Sequence, residues 1–248
     1  MTGFCAYVIS LRDRNSRRVE LAGRLAVLDF EVEIFDAIDG RRGLGSALEK
    51  EVDRRAWLRR YARPATDAEL ACALSHREVY RRFLETDATH ALIMEDDAIV
   101  GDRLNTFVAT KGFMSAPIML LDYGKAYVKG TGLPLLGVGS SAFALATTPF
   151  LATAYCVDRL TARLMLEAQS PVRQVADFPL DLPEHGGVAL VPRIVFSPRD
   201  KRASTIGTRP EPTFTRKIRR LLGSGHLLRC SLKQWRKVNA RKVPKDQL

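Results

Sequence analysis

The sequence predicts an α/β protein with a mostly parallel central sheet flanked by helices and a basic helical tail, and three observations carry that prediction. Short apolar runs alternate with amphipathic segments from residue 4 to about 122, the pattern of repeated strand, helix, strand units. A composition of 46% hydrophobic and 27% charged residues over 248 positions is that of a globular chain, large enough to need neither a metal nor a cross-link to hold its core. Charge is also segregated: Lys and Arg number 39 against 28 Asp and Glu, but the stretch 216–248 has 11 of those cations and a single acid, Asp246. A nearly neutral body, residues 1–211, thus precedes a basic amphipathic tail, 212–248.

In order, FCAYVISL (4–11) reads as a buried strand, followed by a helix that Asp13 or Asn15 can cap and whose Val19, Leu21, Leu25 and Leu28 recur at helical spacing. FEVEIF (30–35) alternates as a second strand and DAIDG (36–40) closes it with a turn. Helices fill 46–61 and 67–85, the second opened by Thr66 and Glu69 in capping-box spacing. HALIM (90–94) and PIMLLDYG (117–124) supply two more strands; further strands are expected near 141–146 and 153–157, a short helix over 159–168, and loop with a short helix over 175–187. The tail offers two helical patterns, Phe214, Ile218, Leu221, Leu222 and then Leu228, Leu232, Trp235.

Some classes fall away at once. Cys5, Cys72, Cys156 and Cys230 are far apart with no paired spacing, as in reduced cytosolic proteins. The apolar start lacks the flanks of a secretory signal. Residues 130–157 have no charge, but Pro134, Pro149 and several glycines interrupt them, so they read as buried sheet and loop and not as a membrane span.

Glu95, Asp96 and Asp97 directly follow the third strand, where open α/β sheets place ligands. Two carboxylates about 4 Å apart repel by about 4 kcal/mol at an effective dielectric near 20. An oxygen-preferring divalent cation relieves that repulsion; so does splaying the side chains into water as an ordinary acidic turn.

YVISLRDRNSRR (7–18), DAIDG (36–40), ELACALSHREVYRRFLE (69–85) and ALIMEDDAI (91–99) occur together in this order. They resemble glycosyltransferase family 25, the bacterial lipopolysaccharide-type β-galactosyltransferases, over roughly residues 4–206 and most strongly over 4–99. The resemblance implies a GT-A-type nucleotide-sugar-binding fold. It also implies inverting transfer of a hexose, galactose first, from a UDP-sugar to a lipopolysaccharide, lipooligosaccharide or related glycan.

Carried over by resemblance, the metal and nucleotide acids fall on the triplet, with Asp97 a ligand of Mn²⁺ or Mg²⁺, Glu95 a ligand or a ribose contact, and Asp96 beside the nucleotide. Asp200 and Asp122 are further metal or donor candidates. Ser75 and His76 match the family's Ser-His pair on the motif helix; a hydrogen-bonded core imidazole explains His76 equally well, and the capping box already explains Glu69. Ala71 stands where many members have Gly. Ser10, Arg12 and Arg17, at and just after the first strand, are placed to meet uracil and diphosphate, although a solvated helix face accounts for arginines there too. An inverting reaction needs a base for the acceptor hydroxyl, and Asp177, with Asp181 and Glu184 close by, is the candidate; all three also suit loop or cap roles.

The tail's cations, at about 1 kcal/mol each near anionic lipid, suit peripheral attachment at the inner face of a bacterial inner membrane, whereas it lacks a nucleic-acid-binding module. Two other functions use the same features: a metal-dependent nucleotidyl- or phosphotransferase, and a non-catalytic membrane-binding protein.

Overall fold

The computed structural model describes residues 3–13, 15–197, 232–238 and 240–243, with residues 15–17 described by backbone alone. One nine-stranded sheet runs through it. In chain order its strands are β1 (Phe4–Ser10), β2 (Glu33–Asp36), β3 (His90–Glu95), β4 (Ile118–Leu120), β5 (Ala126–Pro134), β6 (Ser141–Thr147), β7 (Ala154–Asp158), β8 (Val188–Val191) and β9 (Arg241–Val243). Across the sheet they are ordered β2-β1-β3-β7-β4-β8-β6-β5-β9. The helices are α1 (Asn15–Leu25), α2 (Ser46–Glu49), α3 (Arg54–Tyr61), α4 (Asp67–Leu84), α5 (Asp102–Ala109) and α6 (Arg159–Ala168), with a further short helix over 232–238.

Strand polarity corrects the expectation of a mostly parallel sheet. Only β1/β2, β1/β3 and β4/β8 are parallel; β7 inserts antiparallel between β3 and β4, and β6 pairs antiparallel with β8 and β5, as does β9 with β5. The sheet is therefore mixed and mainly antiparallel, although helices do flank it. The physical reason is that β7, four of whose five residues are buried, has the continuous apolar run of any strand covered on both faces. Such a run carries no mark of direction.

Alternation along each strand divides the core. Tyr7, Ile9, Ala91, Ile93, Ile118, Leu120, Tyr155 and Val157 face Val79, Tyr80 and Phe83 of α4 and Ala162 and Met165 of α6. Ala6, Val8, Leu92, Met94, Met119, Leu121, Ala154 and Cys156 face Leu21 of α1 and Leu104, Phe107 and Val108 of α5. Removing each such large apolar side chain from water contributes about 1.5–3 kcal/mol. A third cluster, with Trp57, Leu70, Leu74 and Val172, joins α3 to the outer side of α4.

The charge-free stretch 130–157 folds as parts of β5, β6 and β7 with their loops, and among the described residues no helix is long and apolar enough to cross a membrane. Residues 241–243, which the sequence places in the basic tail, form the edge strand of the sheet, with Val243 buried. The tail's first helical pattern, from Phe214 to Leu222, lies outside the described residues.

Candidate functional site

Because β1, β2 and β3 run parallel, their carboxyl ends lie at one edge of the sheet, and the segments that follow all meet there. Ile9 is in register with Glu95, which brings the next residues, Ser10 and Asp96, side by side; the Ser10 hydroxyl donates to Asp96 Oδ2 at 3.0 Å. Arg24, in the last turn of α1, donates to the carbonyls of Asp96 (2.9 Å) and Ala98 (2.6 Å), so the acidic segment's backbone is tied to α1. Arg18 spans the ends of β1 and β2, donating to the Ser10 carbonyl at 2.9 Å and to Asp36 at 2.5 Å.

The DAIDG turn packs on α4. The Ile38 amide donates to Ser75 Oγ at 2.9 Å, and that hydroxyl in turn donates to the Ala71 carbonyl at 2.8 Å. Gly40 is required by proximity: a Cβ on it would stand 2.3 Å from the Asp67 carbonyl oxygen and 2.8 Å from Ala71 Cβ. The side chain at Ala71 therefore meets this turn. Asp39 is gripped by Arg41, whose guanidinium and, secondarily, backbone N–H lower the Asp39 pKa to about 2. Arg18 likewise holds Asp36 below the ordinary carboxylate value.

Behind the acidic segment lies a buried polar chain. His76, 1% exposed, has Nδ1 at 3.1 Å from the Tyr155 hydroxyl and Nε2 at 3.4 Å from Glu95 Oε1; Tyr155 Oη is 2.8 Å from Tyr80 Oη. Burial raises the pKa of both phenols, so they remain protonated donors. Every group in the chain is matched when Tyr80 donates to Tyr155, Tyr155 to Nδ1 and Nε2–H to Glu95. With Nδ1 protonated the direction reverses and Nε2 becomes available as a ligand. Cys72, one helical turn before His76, completes a compact group: one ligand atom from each of Cys72, His76 and Glu95 lies within 4.8 Å of the others.

The segment matched by the family model described as glycosyltransferase family 25 (LPS biosynthesis protein) is residues 4–129, which takes in all these residues except Tyr155 of β7. The chain belongs to glycosyltransferase family 25. Its relatives include lipooligosaccharide biosynthesis protein lic2B of Haemophilus influenzae, 28% identical over 103 residues that make up 42% of this chain and 37% of that protein. A glycosyltransferase 25 family member of Anopheles gambiae is 32% identical over 96 residues, 37% of this chain and 16% of that protein. Procollagen galactosyltransferase 2 of Mus musculus is 31% identical over 100 residues, 15% of its length. The family 25 chain thus spans little more than a third of the first of these relatives and much less of the others.

Within this family 25 chain, Ser10 meets Asp96 and His76 meets Glu95, whereas the Ser75 hydroxyl is taken up by the Ile38 amide and the Ala71 carbonyl. Asp97, half-buried, follows in the same segment. Three half-buried carboxylates at a strand end are of the chemical type that an oxygen-preferring cation takes, but among the described residues the ligand atoms that gather within 4.8 Å are those of Cys72, His76 and Glu95, not those of the triplet. The Arg12 side chain is 86% exposed, with its Nε 3.8 Å from Asp36. Arg17 lies in the first turn of α1, its side chain outside the described residues, as is Asp200 altogether.

Asp122 has a different setting. It is fully buried, its carboxylate 3.5 Å from the buried Arg193 and accepting the Tyr123 amide at 2.9 Å, while its own amide bonds the Ala154 carbonyl next to the Thr153 carbonyl that the Glu95 amide bonds, so it sits at the same sheet edge as Glu95 but below the surface. Glu69 is also buried: besides closing the capping box it takes two hydrogen bonds from Arg63, at 2.7 and 2.5 Å. Asp177 is half-buried and precedes Phe178, which has φ +38° and whose ring packs edge-on against Tyr155 at 5.2 Å. That strained residue anchors the Asp177 loop on the same face of the sheet as His76, and the Asp177 charge is felt at the Tyr80 hydroxyl. Asp181 and Glu184 are occupied by Arg236 of the short C-terminal helix, at 2.7 and 2.8 Å, and Asp181 also accepts from Thr148.

Sequence reasoning missed Arg18, Arg24 and Tyr155. Arg18 sat in an arginine-rich run that gave no way to choose among its members. Arg24 and Tyr155 bore no local signal, since their partners lie 72 and 79 residues away.

Proposed function

We propose that this chain is an inverting glycosyltransferase that moves a hexose, galactose in the first instance, from a UDP-sugar to a lipopolysaccharide- or lipooligosaccharide-type glycan with Mn²⁺ or Mg²⁺. The single observation that carries this reading is convergence: four segments separated by up to 86 positions meet at one sheet edge around an acidic triplet, joined by the Ser10–Asp96, Arg18–Asp36, Ile38–Ser75 and His76–Glu95 contacts.

In this proposal Glu95 and Asp97 hold the cation. When bound, it neutralises charge that develops on the departing diphosphate. Ser10 fixes the rotamer of Asp96 so that its other oxygen faces the donor, and Arg24 keeps the backbone of the triplet from drifting. Arg12, highly exposed and only loosely paired with Asp36 at 3.8 Å, supplies a guanidinium for a phosphate. Asp177 takes the proton from the attacking acceptor hydroxyl, a contribution of about 10²–10⁴ in rate. The names of two of these relatives, one a lipooligosaccharide biosynthesis protein and one a procollagen galactosyltransferase, support the choice of acceptor and sugar respectively. The basic tail, 212–248, is proposed to hold the enzyme at the cytoplasmic face of an anionic membrane.

The test is UDP release by the purified chain with Mn²⁺ across a panel of UDP-sugars, with and without a lipooligosaccharide acceptor. Wild type should turn over UDP-galactose best, and Asp97→Ala should lose Mn²⁺-dependent turnover while unfolding at the same temperature. Unchanged turnover in a folded Asp97→Ala protein would remove the metal assignment, and consumption of a nucleoside triphosphate instead would select nucleotidyl transfer.

A further inference from the structure

We infer that Cys72, His76 and Glu95 form a binding site for a thiophilic divalent cation of the Zn²⁺ class, which shares the Glu95 carboxylate with the oxygen-preferring ion proposed at the acidic triplet and differs from it in its sulfur and nitrogen ligands. Cys72 and His76 are four residues apart on α4, so thiol and imidazole share one face of the helix. That face lies against the end of β3, where Glu95 adds a carboxylate, and all three ligand atoms fall within 4.8 Å of one another. Tetrahedral zinc with sulfur at about 2.3 Å and nitrogen or oxygen at about 2.0 Å separates its ligand atoms by roughly 3.3–3.6 Å. The His76–Glu95 separation of 3.4 Å already matches that edge. The thiol then needs to close by at most about 1.5 Å, within the reach of a side-chain torsion. A sulfur and an imidazole nitrogen select zinc over manganese or magnesium, which prefer oxygen alone.

The surroundings are those of a metal-ligating histidine. Nδ1 of His76 is held by the Tyr155 hydroxyl, itself bonded to Tyr80, so the ring is oriented from behind and Nε2 points forward. With the ion bound, Nδ1–H donates to Tyr155 and Tyr155 to Tyr80, the reverse of the metal-free direction. The thiol proton leaves to solvent as the metal–sulfur bond forms. Glu95 is about one-third exposed, which leaves an entry path and room for a water in the fourth position. The inference does not depend on glycosyl transfer, since binding of the metal alone is measured.

The experiment uses the full-length, reduced, metal-free chain titrated with Co²⁺ as a spectroscopic stand-in for zinc. The expected result is a thiolate-to-cobalt charge-transfer band that saturates at one equivalent of Co²⁺ and is bleached by added Zn²⁺. The band should vanish in Cys72→Ser and persist in Cys5→Ser and Cys230→Ser. Tyr155→Phe should keep the band while weakening Co²⁺ affinity about 10- to 100-fold. Glu95→Gln, which keeps the side-chain shape should Cys72→Ser fail to fold, is expected to weaken affinity at least tenfold with the charge-transfer band retained. Absence of a thiolate band in the wild type, its survival in Cys72→Ser, or unaltered affinity in Glu95→Gln would overturn the site.

Discussion

Tyr155→Phe removes one oxygen atom and no packing volume, so its cost comes from hydrogen bonding. The Tyr155 hydroxyl is the shared partner of Tyr80 Oη at 2.8 Å and His76 Nδ1 at 3.1 Å, in a place where all three residues are at most 1% exposed. Deleting it strands two buried polar groups, each costing about 1–3 kcal/mol, so about 3 kcal/mol is expected in total. For a chain of this size that corresponds to a fall in melting temperature of about 6–12 °C. Tyr80→Phe strands nothing, because Tyr155 keeps His76 as partner, and should cost about 1 kcal/mol. The double variant lacks the orphan hydroxyl that Tyr155→Phe leaves on Tyr80, so it should be no less stable than Tyr155→Phe alone, giving a coupling of about 1 kcal/mol or more. Urea unfolding of the four proteins, followed by both fluorescence and circular dichroism, measures each term. A cost below about 0.5 kcal/mol for Tyr155→Phe, or additivity within about 0.5 kcal/mol, would refute the buried chain as drawn.

Gly40→Ala should lower stability by about 1–3 kcal/mol, because the added Cβ meets the Asp67 carbonyl and the turn must lift from α4; an unaltered thermal midpoint would contradict the packing. Glu69→Ala should cost about 3–5 kcal/mol by stranding the Arg63 guanidinium that now makes two bonds to it, again read from urea unfolding. The depressed carboxyls of Asp36 and Asp39 are charged in the folded state at pH values where the unfolded chain has already bound protons. Their stabilisation is therefore complete above the ordinary value of 3.8 and is lost as pH falls below it, toward about 2 for Asp39. Arg41→Ala should flatten the acid limb of a urea midpoint against pH over that window, and an identical limb would exclude Asp39 as a contributor. Arg236→Ala should speed tryptic cleavage within 232–243 by freeing the short helix from Asp181 and Glu184; an unchanged digestion rate would show that other contacts hold it.

Much of the element inventory was legible from local pattern. The strands at 4–11, 90–94, 141–146 and 153–157, the helix at 159–168 and the capped helix from 67 were all readable because apolar period and capping chemistry act within a few residues. The second expected helix, 46–61, splits into α2 and α3, and α5, β5, β8 and β9 were not anticipated. Short strands such as Val188–Val191 offer too few residues for a period to register. At the site, the sequence singled out Ser10, Ser75, His76 and the triplet Glu95–Asp97 without showing how they touch. It could not show that Asp122 is sealed against Arg193 while the triplet at the same sheet edge is half-buried, since burial is a property of the whole fold.

What the sequence determined alone is what short-range physics encodes: which segments are strands or helices, where the capping box starts α4, and that acid follows β3 directly. Strand direction was left to the tertiary structure, because a fully buried strand has the same apolar run whichever way it points, and β7 entered antiparallel between β3 and β4. So was the company each acid keeps. Glu95 gains its imidazole and thiol neighbours only when α4 lies down on the sheet, a contact set by the packing of Val79, Tyr80 and Phe83.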